Sequence, residues 1–288
     1  MSLGGVPRGG GSGLRRVVSA CAIVALVLGL SVGSAFATAP GANGPIAFSV
    51  YGKIYTMQPN GSGLRQVVRE DEEHKYDFNP SWSPDGQRIV TSGEMKEPGG
   101  YWTTTGLQVF SADGSGFEHL PISGNLEAPA WSPDGSHILF IRERELLSTT
   151  PDGAPPTHIE NNAWAPAWSP DGGKIAFVRP VGQEEETDLY TMSVAGGGAQ
   201  RILDPPGRVM SPSWSPDASS IVFAYRAHDV RENPGPGELP YTYGSSDIYE
   251  IPATGGEPVQ LTNSGTDQTP VWSPDGSMIA FQREKKCS

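Results

Sequence analysis

The chain predicts an all-β protein, a β-propeller of four-stranded antiparallel blades. Three observations carry this reading. Trp-Ser-Pro-Asp-Gly recurs at Trp82, Trp131, Trp168 and Trp272, and a fifth copy at Trp214 ends in Ala218 instead of glycine. Seven residues after each tryptophan comes a short run such as Ile138-Leu139-Phe140 or Ile175-Ala176-Phe177; a sixth run, Ile46-Ala47-Phe48, has no tryptophan before it. Two more strand-like segments, separated by a glycine-rich turn, follow each run but the last. Four short strands repeated at about 48 residues are the signature of propeller blades.

Each element has its own reason. Ser-Pro-Asp-Gly is turn chemistry: proline presets φ, aspartate bonds nearby backbone N–H groups, and glycine takes the following φ > 0 position. It joins a strand ending at the tryptophan (a) to a strand starting at the isoleucine (b). The b runs are too short for helices and rich in β-branched and aromatic residues. They are continuously apolar, as expected of a strand packed on both faces by neighbouring blades. The third strands (c) are expected at 53–57, 107–111, 145–149, 188–193 and 247–251. The fourth strands (d) are expected at 64–68, 117–120, 157–159, 200–203 and 258–261. The tryptophans and aspartates at equivalent places are core and turn residues on this reading, not a binding box or a metal set. Six b strands stand against five each of a, c and d; this favours six blades with partial terminal blades and leaves five open.

Residues 1–37 read as a secretory signal. Arg15 and Arg16 precede an apolar stretch at 17–32, and Ala35-Phe36-Ala37 is a cleavage pattern. The stretch is short for a membrane span, although an uncleaved anchor is an alternative; Cys21 and the arginine pair also suggest lipoprotein and twin-arginine readings, which fit less well. Residues 38–288 form one propeller domain. Their formal charge is −15, because 1–37 takes away Arg8, Arg15 and Arg16 from a chain of −12 and holds no acidic residue. So acidic a chain is a poor match to nucleic acid or an anionic membrane. Cys287 is the one cysteine left after cleavage, so the fold rests on its core and not on disulfides.

The pattern Trp-Ser-Pro-Asp-Gly-x-x-Ile-Ala-Phe resembles the WD-like repeat of TolB-type propellers, over about 44–284. The resemblance implies a six-bladed ring in the cell envelope. It departs in one respect: the expected cleavage site runs almost directly into Ile46, which leaves no room for the N-terminal α/β domain of TolB proper. Peptidases with similar propellers carry a hydrolase domain, whereas this chain has no Gly-x-Ser-x-Gly.

Antiparallel order puts the short a–b and c–d turns on one face and the b–c and d–a connections on the other. The longest connections are expected at 93–106, 179–187 and 226–246. They carry the candidate binding residues Tyr101, Trp102, Glu184, Glu185, His228, Tyr241 and Tyr243, with Trp164 following a d–a connection. Variable loops on a rigid scaffold are where binding residues gather. An acidic, aromatic face suits a protein partner, a cationic ligand or a glycan. The histidines lack metal-ligand spacing and no phosphate loop or dinucleotide fingerprint appears, so no cofactor, metal or catalytic residue is assigned. The expectation is a monomeric, secreted or periplasmic, non-enzymatic binder of a protein or envelope component, not inserted in the membrane after cleavage. The alternative is a hydrolase or lyase using acidic residues at the central channel.

Overall fold

The structure, a computed structural model, describes residues 2–5, 18–21, 41–67, 77–96, 102–122, 124–182, 186–230 and 241–283. The chain begins with β1 (Ser2–Gly5) and β2 (Val18–Cys21). Blade 1 is β3 (Ile46–Val50), β4 (Lys53–Met57) and β5 (Arg65–Gln66). Blade 2 is β6 (Asp77–Trp82), β7 (Arg88–Lys96), β8 (Trp102–Ser111) and β9 (Glu118–His119). Blade 3 is β10 (Leu126–Trp131), β11 (Ile138–Arg142), β12 (Glu145–Thr149) and β13 (Thr157–Glu160). Blade 4 is β14 (Trp164–Trp168), β15 (Lys174–Val181), β16 (Glu186–Ser193) and β17 (Gln200–Leu203). Blade 5 is β18 (Gly207–Trp214), β19 (Ser220–Val230), β20 (Tyr241–Pro252) and β21 (Val259–Gln260). Blade 6 has β22 (Asp267–Trp272) and β23 (Ile279–Arg283), and its c and d places are taken by β1 and β2, in the order β22-β23-β1-β2. The ring therefore has six blades, not five. The a strands are innermost, each touching the next from β6 through β10, β14 and β18 to β22.

Blade 6 closes the ring with the start of the chain: Gly4 lies opposite Phe281 and Gly5 opposite Ala280. A second seam joins blades 6 and 1, where Asn43 Nδ2 donates to Asp275 Oδ2 (2.9 Å) and Asp275 N–H donates to Asn43 Oδ1 (3.2 Å).

The b strands are apolar on both faces because each blade is sandwiched. Ile138 and Phe140 pack against Val90, Leu107 and Val109 of blade 2. Leu139 and Ile141, one residue out of phase, pack against Ile175 and Phe177 of blade 4. The same alternation joins blades 4 and 5. The tryptophans add polar stitches between inner strands. Where alanine precedes the tryptophan of one blade, the next indole donates to that alanine's carbonyl: Trp168 Nε1 to Ala130 O and Trp214 Nε1 to Ala167 O, both 3.2 Å. Where serine stands there, its hydroxyl accepts the next tryptophan's backbone N–H instead: Trp131 N to Ser81 Oγ (3.0 Å) and Trp272 N to Ser213 Oγ (3.2 Å). Trp131 is buried between blades as expected, and Trp214 and Trp272 are buried too; Trp168, also expected to be buried, is half-buried instead.

The Asp-Gly turns behave as the sequence predicts. In blade 3, Ser132 Oγ donates to Asp134 Oδ1 (2.7 Å), which also accepts Ser136 N–H (3.0 Å), while Gly135 N–H donates to Ser132 O (3.0 Å). The proline of each turn leans on the glycine of the next blade's turn: a Cβ on Gly135 would stand 3.3 Å from Pro84 Cγ, and one on Gly172 would stand 3.4 Å from Pro133 Cγ. Ala218 keeps the turn, with its N–H on Ser215 O at 2.9 Å, but at φ 57°.

Two features depart from the expected layout. The segments 93–106 and 226–246 are mostly hairpin arms, not loops. Pairing of β7 with β8 runs out to Lys96 opposite Trp102, and pairing of β19 with β20 runs out to Val230 opposite Tyr241. Thr103-Thr104-Thr105 and Tyr241-Thr242-Tyr243 are strong strand formers, so the ladder propagates past the packed blade. The connection at 179–187 is likewise shortened, since β15 reaches Val181 and β16 starts at Glu186. The second feature is a bulge in all five a strands, three residues before the tryptophan. It places Asn79, Ala128, Ala165, Ser211 and Thr269 at φ between 47° and 53°, each directly before a proline. Bulges of this kind bend a strand and re-aim the side chains beside them.

Three outcomes follow from this packing. Ala218→Gly removes a left-handed non-glycine residue and raises unfolding stability by about 1 kcal/mol, read from the urea midpoint; a loss would mean that the Ala218 methyl contact outweighs the strain. Hydrogen bonds from Ser132 and Ser136 hold the Asp134 carboxyl down at about 2, and those from Ser277 and Ser273 do the same for Asp275. These groups stabilise the fold fully above their ordinary value of 3.8 and lose that contribution as pH falls towards about 2. The urea midpoint therefore drops across that window, and Asp134→Asn flattens the drop. In blade 6, burial alone would raise the carboxyl of the fully buried Asp267, but Arg283 binds both its oxygens (2.6 and 2.8 Å) and brings it below the ordinary value. Arg283→Ala strands that charge and costs about 3–5 kcal/mol in chemical denaturation; Arg283→Ala with Asp267→Leu recovers most of the loss.

Candidate binding face at the channel mouth

The a strands begin at the face that carries the b–c and d–a connections, and their bulges set which side chains stand at the channel mouth there. The residue four before each tryptophan, beside the bulge, is Phe78, Glu127, Trp164, Met210 and Gln268 in turn. Trp164 is half-buried and packs on the blade 3–4 and blade 4–5 core layers. Two guanidinium groups from flanking blades lie over its ring, Arg144 and Arg208, each 5.9 Å from the centroid. Both are held from the backbone. Arg144 O accepts the N–H of Ala163, next to Trp164 (2.9 Å). Thr187 Oγ1 donates to Val209 O (2.5 Å), and Thr187 bridges to Arg208. Arg179, further out, pairs with Glu160 (3.4 Å) and lies over Tyr190 (4.6 Å).

Three aspartates on this side of the ring are buried, and each is engaged. Burial pushes the Asp188 carboxyl up, offset by its bond from Arg201 (3.2 Å), which also pairs with Asp204 (2.9 Å). Asp247 Oδ1 accepts Gly265 N–H (3.0 Å) and Thr262 Oγ1 (3.4 Å). Asp267 is neutralised by Arg283 as above. Among the described residues no three His, Cys, Asp or Glu side chains come together as metal ligands, and no helix is long and apolar enough to cross a membrane.

Of the residues singled out from the sequence, Trp164 starts β14, next to the connection between blades 3 and 4. Trp102, at the start of β8, lies on the blade 2 hairpin arm, and the backbone of the blade 5 arm puts His228 opposite Tyr243, with Tyr241 opposite Val230. Two blades separate these arms. Tyr101, Glu184 and Glu185 lie outside the described residues. Sequence reasoning missed Arg144 and Arg208. The signal that would have found them is the proline two before each tryptophan (Pro80, Pro129, Pro166, Pro212 and Pro270), which marks the bulge and so the residues re-aimed beside it. The opposite mouth is not featureless either: tryptophans and prolines of the turns of blades 2 to 5 line an open depression of about 580 Å³.

Comparison with solved structures gives the fold a name. A protein assigned as TolB in Agrobacterium tumefaciens superposes with a TM-score of 0.70 at 18% identity, covering 99% of this chain and 98% of that one. TolB of Acinetobacter baumannii gives 0.66 at 16% identity, covering 94% of this chain; the chain spans 66% of that protein's length. An oligogalacturonate lyase of Vibrio parahaemolyticus gives 0.54 at 15% identity, with 82% and 74% covered. No family model and no curated protein matches the sequence. The chain has the fold of a TolB-like β-propeller.

Proposed function

We propose that the protein is exported and binds a protein or another cell-envelope component through the long-connection face, without catalysing a reaction on it. The observation that carries this is the asymmetry of the ring. One face repeats the same short turns, whereas the other carries two hairpin arms extending past the blades and has Arg144 and Arg208 lying over Trp164. Rigid aromatic and arginine side chains dominate protein-binding hot spots. The leader-like 1–37 segment supports a secreted or periplasmic location, and the TolB-like fold is compatible with an envelope role. The chemistry of a lyase or hydrolase needs carboxylates free to accept or donate protons at the channel. The buried ones on this face, Asp188, Asp247 and Asp267, are each consumed by a structural partner.

The test is capture from an envelope extract by the exported chain, compared with a variant in which 227–245 is replaced by a two-residue turn and with Trp102→Ala. The expected result is a component retained by the parent and lost from at least one variant, with thermal unfolding unchanged. Identical capture by all three, with normal unfolding, would move the binding site to the tryptophan–proline mouth.

A further inference from the structure

We propose that Asn43 is a self-modification site at the seam between blades 6 and 1: Asn43 and Gly44 convert through a succinimide into an aspartate or isoaspartate linkage, and the conversion loosens that seam. Asn43 stands three residues before Ile46, the place that glycine holds before Ile89, Ile138, Ile175 and Ile279. In blades 3, 4 and 6 this glycine packs beside the proline of the preceding turn; a Cβ on Gly276 would stand 3.6 Å from Pro216 Cγ. Asn43 instead reaches the preceding turn, that of blade 6, with its side chain. Its Nδ2 donates to Asp275 Oδ2 (2.9 Å) and its Oδ1 accepts Asp275 N–H (3.2 Å), while Gly41 N–H donates to Pro274 O (3.2 Å).

Nucleophile and electrophile are both prepared. Gly44 N–H makes no hydrogen bond among the described residues. Gly44 is exposed, and a Cβ there would find nothing within 4 Å, so the backbone is free to turn this nitrogen onto Asn43 Cγ. Negative charge gathers on Oδ1 during that attack, where Asp275 N–H already donates and so stabilises it. The second Asn-Gly pair of the chain, Asn60-Gly61, is held differently. Gly61 N–H is engaged by Gln58 O (2.8 Å), and Ser62 N–H and Oγ fix Asn60 Oδ1 (3.0 and 2.7 Å).

The reaction needs only water. The Gly44 nitrogen gives its proton to solvent base and bonds to Asn43 Cγ; the Cγ–Nδ2 bond breaks, and ammonia leaves with a proton from solvent. Water then opens the ring at either carbonyl, giving aspartate or isoaspartate. One water enters, one ammonia leaves, and no oxidant or reductant takes part. The product cannot remake the seam. An amide offers two N–H donors and a carboxylate none. The Asp275 carboxyl is itself held charged, at about 2, so two carboxylates meet where an amide met one, and like charges at that distance repel. The isoaspartate form also adds a carbon to the main chain just before Gly44. The seam lies with the short a–b turns, on the face opposite the hairpin arms, so this proposal and the capture of an envelope component can fail independently.

The experiment is ageing of the full chain at mildly alkaline pH, read by peptide mass mapping for the amide-to-acid gain and by enzymatic methylation of isoaspartate. Asn43 is expected to convert at least about fivefold faster than Asn60, the factor for giving up one backbone hydrogen bond. Gly44→Ala is expected to slow Asn43 at least about fivefold, because a Cβ restricts the backbone, and to leave Tm unchanged, because that Cβ has open space. Asn43→Asp is expected to lower Tm by about 1–3 °C, and the aged protein to show the same loss. In the Asp275→Asn background the loss from Asn43→Asp is expected to shrink, since an amide again faces a carboxylate. Conversion at Asn43 no faster than at Asn60, or a Tm of Asn43→Asp equal to the parent's, would overturn the proposal. An equal loss in both backgrounds would do the same, because position 43 would then act without Asp275.

Discussion

The packing of one blade's inner strand against the next is the constraint from which the rest of the structure follows. A single blade exposes two apolar faces and cannot bury either alone; the ring buries both. Ile138 and Phe140 face back to blade 2 while Leu139 and Ile141 face forward to blade 4. The indoles then fix how close and in what register neighbouring blades sit. Trp168 and Trp214 reach back to the preceding blade's carbonyl at Ala130 and Ala167. Ser81 and Ser213 replace that contact by bonding the next tryptophan's backbone. A one-residue change before the tryptophan thus selects which group carries the stitch, while the spacing of the blades is kept.

The same constraint explains why five non-glycine residues persist at positive φ. The inner strand must run beside its neighbours around a narrow channel, and the bulge before each proline provides the bend. Proline removes an N–H that the distorted ladder leaves without a partner. The strain recurs at Asn79, Ala128, Ala165, Ser211 and Thr269 and is offset by packing of the whole ring. Next to the blade 4 bulge, the flanking blades bring Arg144 and Arg208 over Trp164.

Electrostatics divide the molecule into regions with different tasks. The aspartates of the short turns are held in their charged form by serine hydroxyls and backbone N–H groups, so they organise turns and leave little for ligands. The buried aspartates on the opposite side are tied to arginine or to backbone. Arg144 and Arg208 lie over the Trp164 indole.

The sequence by itself determined the blade. The Ser-Pro-Asp-Gly turns, the two-faced b strands and the glycine-rich c–d turns are local signals, and each is set by residues within a few positions of one another. Their repetition determined the propeller, and the count of b strands pointed to six blades. Only the tertiary structure decided how the ring is assembled. Pairing of β23 with β1 joins residues separated by nearly the whole chain, and no local pattern in Ser2–Gly5 specifies it. The hairpin arms were hidden because Thr103–Thr105 and Tyr241–Tyr243 read as loop insertions between core motifs, and pairing across the turn is what makes them strand. Of Trp164 and the two arginines over its indole, the sequence singled out Trp164 alone. Arg144 and Arg208 lie in different blades, and their shared position over one indole comes from the bulge and from blade-to-blade packing, which sequence spacing does not encode.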